Sequence, residues 1–267
     1  MALAKTILLA GGDPAQPDKT APELETLTGA WSARARLEAA GARPFALLTA
    51  EGWGNVAGGL RTGAWYNHHL DFGVELDTTK LGLWPGGSML VQLHWNQNAR
   101  DDASFADYTG AFNPVSSILA ENHFRVYNLW YRQAWREEAF VFKAGQLAAD
   151  DDFMGSDYAG LFINSAFGAM PSQVGTPLAL GNSPAFPIYP VAAPGVFFSV
   201  APAESWYAQA GFYYGRPGPD TGDNYGFDWA GESPFEVAMF FEGGLRYKLA
   251  NRPATLRLGS AYHTGPW

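Results

Sequence analysis

One stretch of alternating residues, 59–77, constrains the fold more than any other feature of the sequence. Its even positions, from Leu60 to Leu76, are mostly apolar, and its odd positions, from Gly59 to Asp77, carry nearly all of the charge. Successive side chains of an extended strand point to opposite faces of a sheet, so the stretch predicts one long strand with two different environments. A soluble β-sandwich buries its apolar face, whereas a membrane β-barrel turns that face to lipid.

The composition fits either β architecture and argues against several other classes. The length of 267 residues is compatible with one large β domain, and 16% of the residues are charged, beside about 25% in typical soluble domains. No run of about 18 apolar residues is present for a membrane helix. The net charge of -9 argues against a nucleic-acid partner, and the absence of cysteine excludes disulfides and cysteine-based zinc sites.

The chain divides into three predicted parts. Residues 1–22 contain Pro and Asp but no apolar run of the roughly 7–15 residues that a signal peptide needs, and are predicted to be a disordered or linker segment. Residues 23–42 are predicted to form an N-terminal helix with Gly41 as its C-terminal cap. Residues 43–267 are predicted to form β structure almost throughout.

Ten strands are predicted after the helix. They lie near 45–56, 59–77, 88–98, 122–136, 138–148, 160–167, 195–200, 206–214, 234–248 and 254–264. Short turns join many of them, and two long connections lie near 99–121 and 168–194. Short turns at one end and long loops at the other are typical of an outer-membrane barrel, so we predict an all-β, antiparallel transmembrane β-barrel with a short N-terminal helix.

Several motifs, in order, resemble a known family. They are NVAGG at 55–59, ELDTTKLGLWPGG at 75–87, VYNLWYRQ at 126–133, FKAGQLAADDDF at 142–153 and LFINSAFGAMPS at 161–172. From about residue 27 the sequence resembles the carbohydrate-selective porins of the OprB family, found in Gram-negative outer membranes. It departs from the family pattern at Trp31-Ser32-Ala33, where the family has Trp-Gly-Gly, and at Asn128, where the family has a glutamate.

The resemblance implies a sixteen-stranded barrel, trimeric or monomeric, through which sugars such as glucose diffuse passively. It implies an outer-membrane location, with membrane lipid and mono- or small oligosaccharides as partners. Because only about ten of sixteen strands are predicted, the chain is expected to be a fragment without a signal peptide and without the C-terminal strands. A soluble or secreted β-rich carbohydrate-binding protein is the alternative, and an outer-membrane barrel enzyme is a further one.

The predicted pore-lining residues are the charged, amide and aromatic side chains on the polar faces of the strands. Charged groups hydrogen-bond to sugar hydroxyls, and aromatic rings stack on sugar rings. The set is Arg61, Trp65, Asn67, His69, Asp71, Glu75, His94, Trp130, Arg132, Lys143, Glu242, Arg246 and Arg257. Salt bridges within the lumen remain the alternative role for the charged members, and packing against loops for the two tryptophans. Arg34 and Arg36 are candidates for a helical plug or for a solvated helix face.

No cofactor, metal or catalytic site is predicted. His69, Asp71 and Glu75 share a face, but positions 69 and 75 are about 20 Å apart on a strand, which is too far for one metal ion. The acidic runs at 101–102, 150–152 and 220–224 offer oxygen ligands for Ca²⁺ but are interpreted as solvated loop residues. The sequence contains no GxSxG, HExxH or phosphate-binding loop, so we expect no enzyme.

Overall fold

The computed structural model describes residues 5–9, 31–99, 109–110, 115–155, 163–164, 186–217, 225–227, 229 and 235–265. Within these residues the fold is all-β, with one helix and a single 3-10 turn at Ala149–Asp151. The elements in chain order are β1 (Lys5–Leu9), α1 (Trp31–Ala39), β2 (Ala42–Asn55), β3 (Gly63–Asp77), β4 (Gly87–Asn98), β5 (His123–Trp135), β6 (Phe140–Leu147), β7 (Ala193–Ala203), β8 (Trp206–Tyr214), β9 (Val237–Leu249) and β10 (Arg252–His263). Among the described residues, no helix is long and apolar enough to cross a membrane.

The chain forms two compact units. The first contains residues 1–126 and 220–225, and the second contains residues 127–219 and 226–267. In the first unit β1 pairs with β2, β2 with β3 and β3 with β4. In the second unit each strand from β5 to β10 pairs with the next one. All of these pairs are antiparallel, as predicted.

In the first unit, the alternation that opened the sequence analysis corresponds to β3. Its odd residues Trp65, Asn67 and His69 are buried, whereas Tyr66 between them is exposed. The strand begins at Gly63, so the predicted start at residue 59 is wrong. Arg61 therefore lies in the connection before β3, because Gly58 and Gly59 turn the chain there with positive φ angles of 75° and 69°.

In the second unit, short turns lie at one end of the strands and long connections at the other. The β5–β6 turn has Arg136, Glu137 and Glu138 at positive φ, and the β9–β10 turn has Ala250 and Asn251 at φ 48° and 62°. Paired left-handed residues match the twist of a tight β-hairpin. Because the strands run antiparallel, the connections from β6 to β7 and from β8 to β9 begin and end at the opposite end of the strands. The first of them includes the long connection predicted near 168–194, and the second was not predicted as a long one.

An apolar core covers part of the buried face of the second unit. After β6 the chain turns back, so that Phe153 packs against Phe240 and Phe197 at ring-centroid distances of 5.4 Å and 5.7 Å. Phe186 from the following connection packs against Phe240 at 5.2 Å. The core also contains Leu147, Ala149, Ile188, Tyr213 and Ala238. This core fixes residues 149–154 against the strands and thereby positions their acidic side chains.

Beyond the start of β3, three further predicted elements compare with the structure as follows. Lys5–Leu9 falls in the predicted linker but forms β1, in register with Leu48 to Gly52 of β2, because the edge of β2 offers unpaired backbone groups. The helix is observed as Trp31–Ala39, and the rest of its predicted N-terminal part lies outside the described residues. Of the predicted strand 160–167 only Ile163 and Asn164 are described, and neither is in a strand.

Candidate functional site

A row of polar side chains crosses the buried face of β2, β3 and β4. Adjacent strands in register place facing Cβ atoms about 4.5–5.5 Å apart, so these side chains contact one another directly. We call this row the polar ladder, and it consists of Glu51, Asn67, His69, Asp71, Gln92, His94 and Asn96. Six of the seven are buried, and Asp71 is partly buried. The polar ladder holds four of the predicted pore-lining residues: Asn67, His69, Asp71 and His94.

Glu51 anchors one end of the polar ladder. Its Oε2 accepts a hydrogen bond from Trp53 Nε1 at 3.0 Å and from Asn67 Nδ2 at 3.4 Å. Trp65 lies beside this group, directly opposite Trp53 in the β2–β3 register, with 3% of its surface exposed. A buried carboxylate that accepts two N–H groups is held in one orientation, so this end of the ladder is rigid.

The middle of the polar ladder joins β3 to β4. His69 Nδ1 lies 2.6 Å from Asn96 Oδ1. Gln92 Nε2 donates to both oxygens of Asp71 at 2.9 Å and 3.0 Å. His94 Nε2 lies 3.7 Å from Asp71 Oδ1. The hydrogen bonds therefore set the orientations of His69, Asp71, Gln92 and Asn96 across the two strands, and His94 lies close to Asp71.

Two predicted residues of the first unit lie apart from the polar ladder. Glu75, near the other end of β3, forms an ion pair with Arg43 on β2. Arg61 is exposed in the β2–β3 connection, where its carbonyl accepts a hydrogen bond from Asn55 Nδ2 at 2.7 Å. Neither residue is brought together with the histidines.

Lys143 on β6 contacts one acidic and two aromatic side chains in the second unit. Its Nζ lies 2.8 Å and 2.9 Å from the two oxygens of Asp152. The same ammonium lies over the ring of Trp130 at 4.9 Å and over that of Phe197 at 5.4 Å. The ion pair and the two aromatic faces tie the segment after β6 to the strands. Two predicted residues, Lys143 and Trp130, are thus in direct contact.

The remaining predicted residues of β9 and β10 gather around Tyr207 and the segment after β6. Glu242 accepts hydrogen bonds from Tyr207 Oη at 2.6 Å and from Gln209 Nε2 at 3.4 Å. The guanidinium of Arg246 lies 4.9 Å from the centre of the Tyr207 ring. Arg257 donates to the carbonyl of Gly155. These three side chains form a second polar patch.

Arg132 and the helix arginines lie elsewhere. Arg132 pairs with Glu138 at the β5–β6 turn. In α1 both Arg34 and Arg36 are exposed, and Arg34 Nε lies 2.8 Å from Glu38 Oε1. The exposed ion pair of Arg34 has the geometry of a solvated helix face, while the plug role stays a prediction.

In the acidic run 150–152 the interpretation as solvated loop acids is wrong for Asp150 and Asp152, whereas Asp151 is exposed. Asp152 pairs with Lys143, and Asp150 Oδ2 accepts the backbone N–H of Tyr189 at 3.1 Å. Burial raises the pKa of Asp150 to about 6, and the negative charge of Asp152 adds to the rise, while the hydrogen bond from Tyr189 opposes it. The other two acidic runs lie outside the described residues.

Sequence reasoning missed several site residues. Tyr207 and Gln209 share a face of β8, and this polar alternation within the correctly predicted strand 206–214 is the signal that identifies them. Arg125 and His123, both buried, share a face of β5 in the same way. Asp152 has no such signal, because its partner Lys143 reaches it only after the chain turns back.

The exposed faces of the strands carry large apolar side chains in both units. In the first unit Trp95 is 39% exposed, and in the second Phe198 is 46% and Leu258 is 82% exposed. Others are Tyr66, Phe124, Leu129, Phe212, Phe241, Leu245, Leu256 and Tyr262. Apolar side chains on the exposed face, with many polar side chains on the buried one beside the apolar core of the second unit, are the reverse of a soluble sandwich.

The sequence profile of the carbohydrate-selective porin, OprB family, matches residues 61–267. The chain belongs to this family. The high pH structure of Pseudomonas putida OprB is similar to it, with a TM-score of 0.73 and 22% sequence identity over 89% of this chain. The low pH structure of the same protein is also similar, with a TM-score of 0.51 and 17% identity over 89% of this chain. No curated protein matches the chain.

The likeness to OprB confirms the predicted fold, that of an antiparallel porin barrel. The match covers 56% of the high pH structure and 60% of the low pH structure, so this chain spans a little over half the length of those chains. The OprB family and its fold are those of a channel protein rather than of an enzyme.

Proposed function

We propose that this OprB-family chain forms the wall of a passive channel for small sugars in the outer membrane of a Gram-negative bacterium. The observation that carries the proposal is the division of its strands into a polar, aromatic buried face and an apolar exposed face. A wall of this kind meets water and solute on one side and lipid on the other. Transport by diffusion needs no catalytic group and no cofactor.

The polar ladder has the chemistry that a sugar path requires. Sugars are neutral and rich in hydroxyl groups, which both donate and accept hydrogen bonds. The partly buried Asp71 offers carboxylate oxygens as acceptors, whereas Glu51, Asn67 and Asn96 are buried and hydrogen-bonded to neighbouring residues. A solute that exchanges its water for such contacts passes without a large desolvation cost.

The second polar patch adds charges of both signs. Glu242, Arg246 and Arg257 lie near Tyr207, and Lys143 lies near Trp130. Fixed charges of both signs produce local fields that slow small ions of either charge, while leaving neutral solutes less affected. This arrangement supports selectivity for sugars over salts. Glucose and small oligosaccharides are the solutes that we propose.

Liposome swelling tests the proposal directly. The native protein is reconstituted in liposomes that are then diluted into isotonic glucose, and the loss of turbidity is followed. We expect swelling with glucose well above that of liposomes without protein and above that of liposomes holding the heat-denatured protein. Swelling no faster than in protein-free liposomes would overturn the channel proposal.

A charge-neutralising variant tests which residues line the path. Glu242→Gln removes one negative charge from the second polar patch, and Glu137→Gln, at the exposed β5–β6 turn, is the matched control. In planar bilayers under a salt gradient, Glu242→Gln is expected to shift the reversal potential toward anions, and Glu137→Gln to leave it unchanged. Equal reversal potentials in both variants would show that Glu242 does not face the ion path.

A further inference from the structure

The middle of the polar ladder brings two histidines and one aspartate together. His69 and Asp71 are two residues apart on β3 and share its buried face, and His94 faces Asp71 across the β3–β4 pair. One nitrogen of each histidine and one carboxylate oxygen lie within 4.8 Å of one another. The two imidazole rings meet edge to face at a centroid distance of 4.5 Å. Passive sugar diffusion requires no such convergence.

We propose that His69, Asp71 and His94 bind a divalent transition-metal ion, with Zn²⁺ as the probe. Two imidazoles and one carboxylate are a ligand set that zinc uses in proteins, with the fourth position left for water. At metal–ligand distances of about 2.0–2.2 Å, the ligands of a tetrahedral ion stand roughly 3.4 Å apart. The distance of 3.7 Å between His94 Nε2 and Asp71 Oδ1 is already close to that value.

The neighbours of His69 prepare it to act as a ligand. Asn96 Nδ2 donates to the carbonyl of Ile118 at 3.0 Å. Because a carbonyl can only accept, this bond fixes the amide so that its Oδ1 points to His69 Nδ1 at 2.6 Å. His69 Nδ1 is then the protonated nitrogen, and Nε2 carries the lone pair with which a neutral imidazole binds a metal. A hydrogen bond to the far nitrogen is the usual support of a metal-binding histidine.

Asp71 is supported in the same way. Gln92 Nε2 donates to Oδ1 at 2.9 Å and to Oδ2 at 3.0 Å, and these two hydrogen bonds fix the orientation of the carboxylate. Hydrogen bonds to a ligating carboxylate are typical of metal sites. Glu75, which the sequence analysis considered with His69 and Asp71, pairs with Arg43 and takes no part.

The charges around the site favour a transition metal over other cations. Arg125 lies close enough to His94 to act on it electrostatically, and its positive charge opposes any cation. An ion must therefore gain most of its binding free energy from nitrogen ligands. Mg²⁺ and Ca²⁺ prefer several oxygen ligands and find one carboxylate here, whereas Zn²⁺ binds imidazole well.

Metal binding to the untagged native protein in detergent tests the proposal. Calorimetric titration with ZnCl₂ is compared between the wild type, His94→Gln, Asp71→Asn and His68→Gln. His68 is the matched control, because it adjoins His69 on β3 but points to the other face, where it contacts Trp95. We expect one Zn²⁺ per chain, binding at least about tenfold weaker in His94→Gln and Asp71→Asn, and unchanged binding in His68→Gln. MgCl₂ is expected to give no binding.

X-ray absorption at the zinc edge identifies the ligands in the wild type, so it tests the site even if a variant fails to fold. On the loaded wild type we expect scattering from two imidazoles and from oxygen ligands at about 2.0–2.2 Å. Absence of saturable zinc binding by the wild type overturns the proposal. Zinc without imidazole scattering does so as well, and so does an equal loss of binding in His68→Gln and in the two site variants.

Discussion

Tyr207 on β8 lies directly opposite Gly244 on β9, and its ring occupies the space above this glycine. A Cβ atom at Gly244 would collide with the Tyr207 ring. At the adjacent Gly243, which faces the other way, the nearest atom to a new Cβ is the Tyr207 carbonyl oxygen at 3.8 Å. The tyrosine thereby reaches Glu242 only because the opposite residue has no side chain.

The two glycines give a matched pair of variants. Gly244→Ala is expected to destabilise the protein by about 1–3 kcal/mol, because the Tyr207 ring must move and its hydrogen bond to Glu242 is lost. Gly243→Ala is expected to change stability little, or to raise it by up to about 1 kcal/mol through the lower entropy of the unfolded chain. Urea unfolding in lipid vesicles, followed by tryptophan fluorescence, measures both. Equal destabilisation in the two variants would contradict the packing described here.

The ion pair of Lys143 and Asp152 is expected to contribute to stability. Both side chains are mostly buried, with 9% and 14% exposed. A double-mutant cycle with Lys143→Met and Asp152→Asn is expected to give a coupling free energy of about 1–3 kcal/mol, between the values of exposed and fully buried pairs. The exposed pair Arg34–Glu38 is the control and is expected to give less than about 0.5 kcal/mol. A coupling for Lys143 no larger than for this control would show that the contact does not hold the segment after β6.

The raised pKa of Asp150 predicts a dependence of stability on pH. Its folded-state pKa of about 6 lies above the value of about 3.9 in an unfolded chain, so the folded protein binds this proton more tightly. The resulting stabilisation is present below about pH 4 and is lost as the pH rises through 6. Compared with Asp150→Asn, the wild type is therefore expected to lose more thermal stability between pH 4 and pH 7. Parallel melting curves for the two proteins across this range would refute the assignment.

The exposed apolar faces predict a strong cost for a charge that faces lipid. Leu258 on β10 is 82% exposed, and Leu258→Arg is expected to cost about 2–4 kcal/mol if this position lies near the bilayer midplane. Leu258→Met is the control and is expected to be nearly neutral. The free energy of unfolding from vesicles distinguishes them. An arginine tolerated as well as methionine would mean that this face meets water.

The alternation of apolar and polar residues predicts most of the strands from the sequence. It does not predict which distant segments contact one another. The strand 206–214 was predicted with its observed bounds, because every second residue has the same character. β1 was missed, because five residues are too few to show an alternating pattern. Their strand conformation depends on pairing with the edge of β2. In β5 the neighbouring residues Tyr127 and Asn128 are both buried. A strict alternation would bury only one of the two, so the sequence pattern does not predict this.

The same limit applies to the candidate site. Trp65, Asn67 and His69 were found because they share one face of a strand with a clear period. The approach of His94 to Asp71 depends on the register between β3 and β4, which the sequence of either strand leaves open. The contact of Lys143 with Asp152 depends on the chain turning back after β6. Register and chain reversal are tertiary properties, and the side chains that they bring together cannot be read from spacing.

Every strand pair described within either unit joins strands that are consecutive along the chain. Removal or duplication of one hairpin therefore leaves the partners of most other strands in place, since no pairing within a unit depends on a strand far away in sequence. The β-hairpin is therefore the smallest segment that such a sheet can gain or lose. The number of strands can change in steps of two during evolution while the sequences of the other strands stay the same.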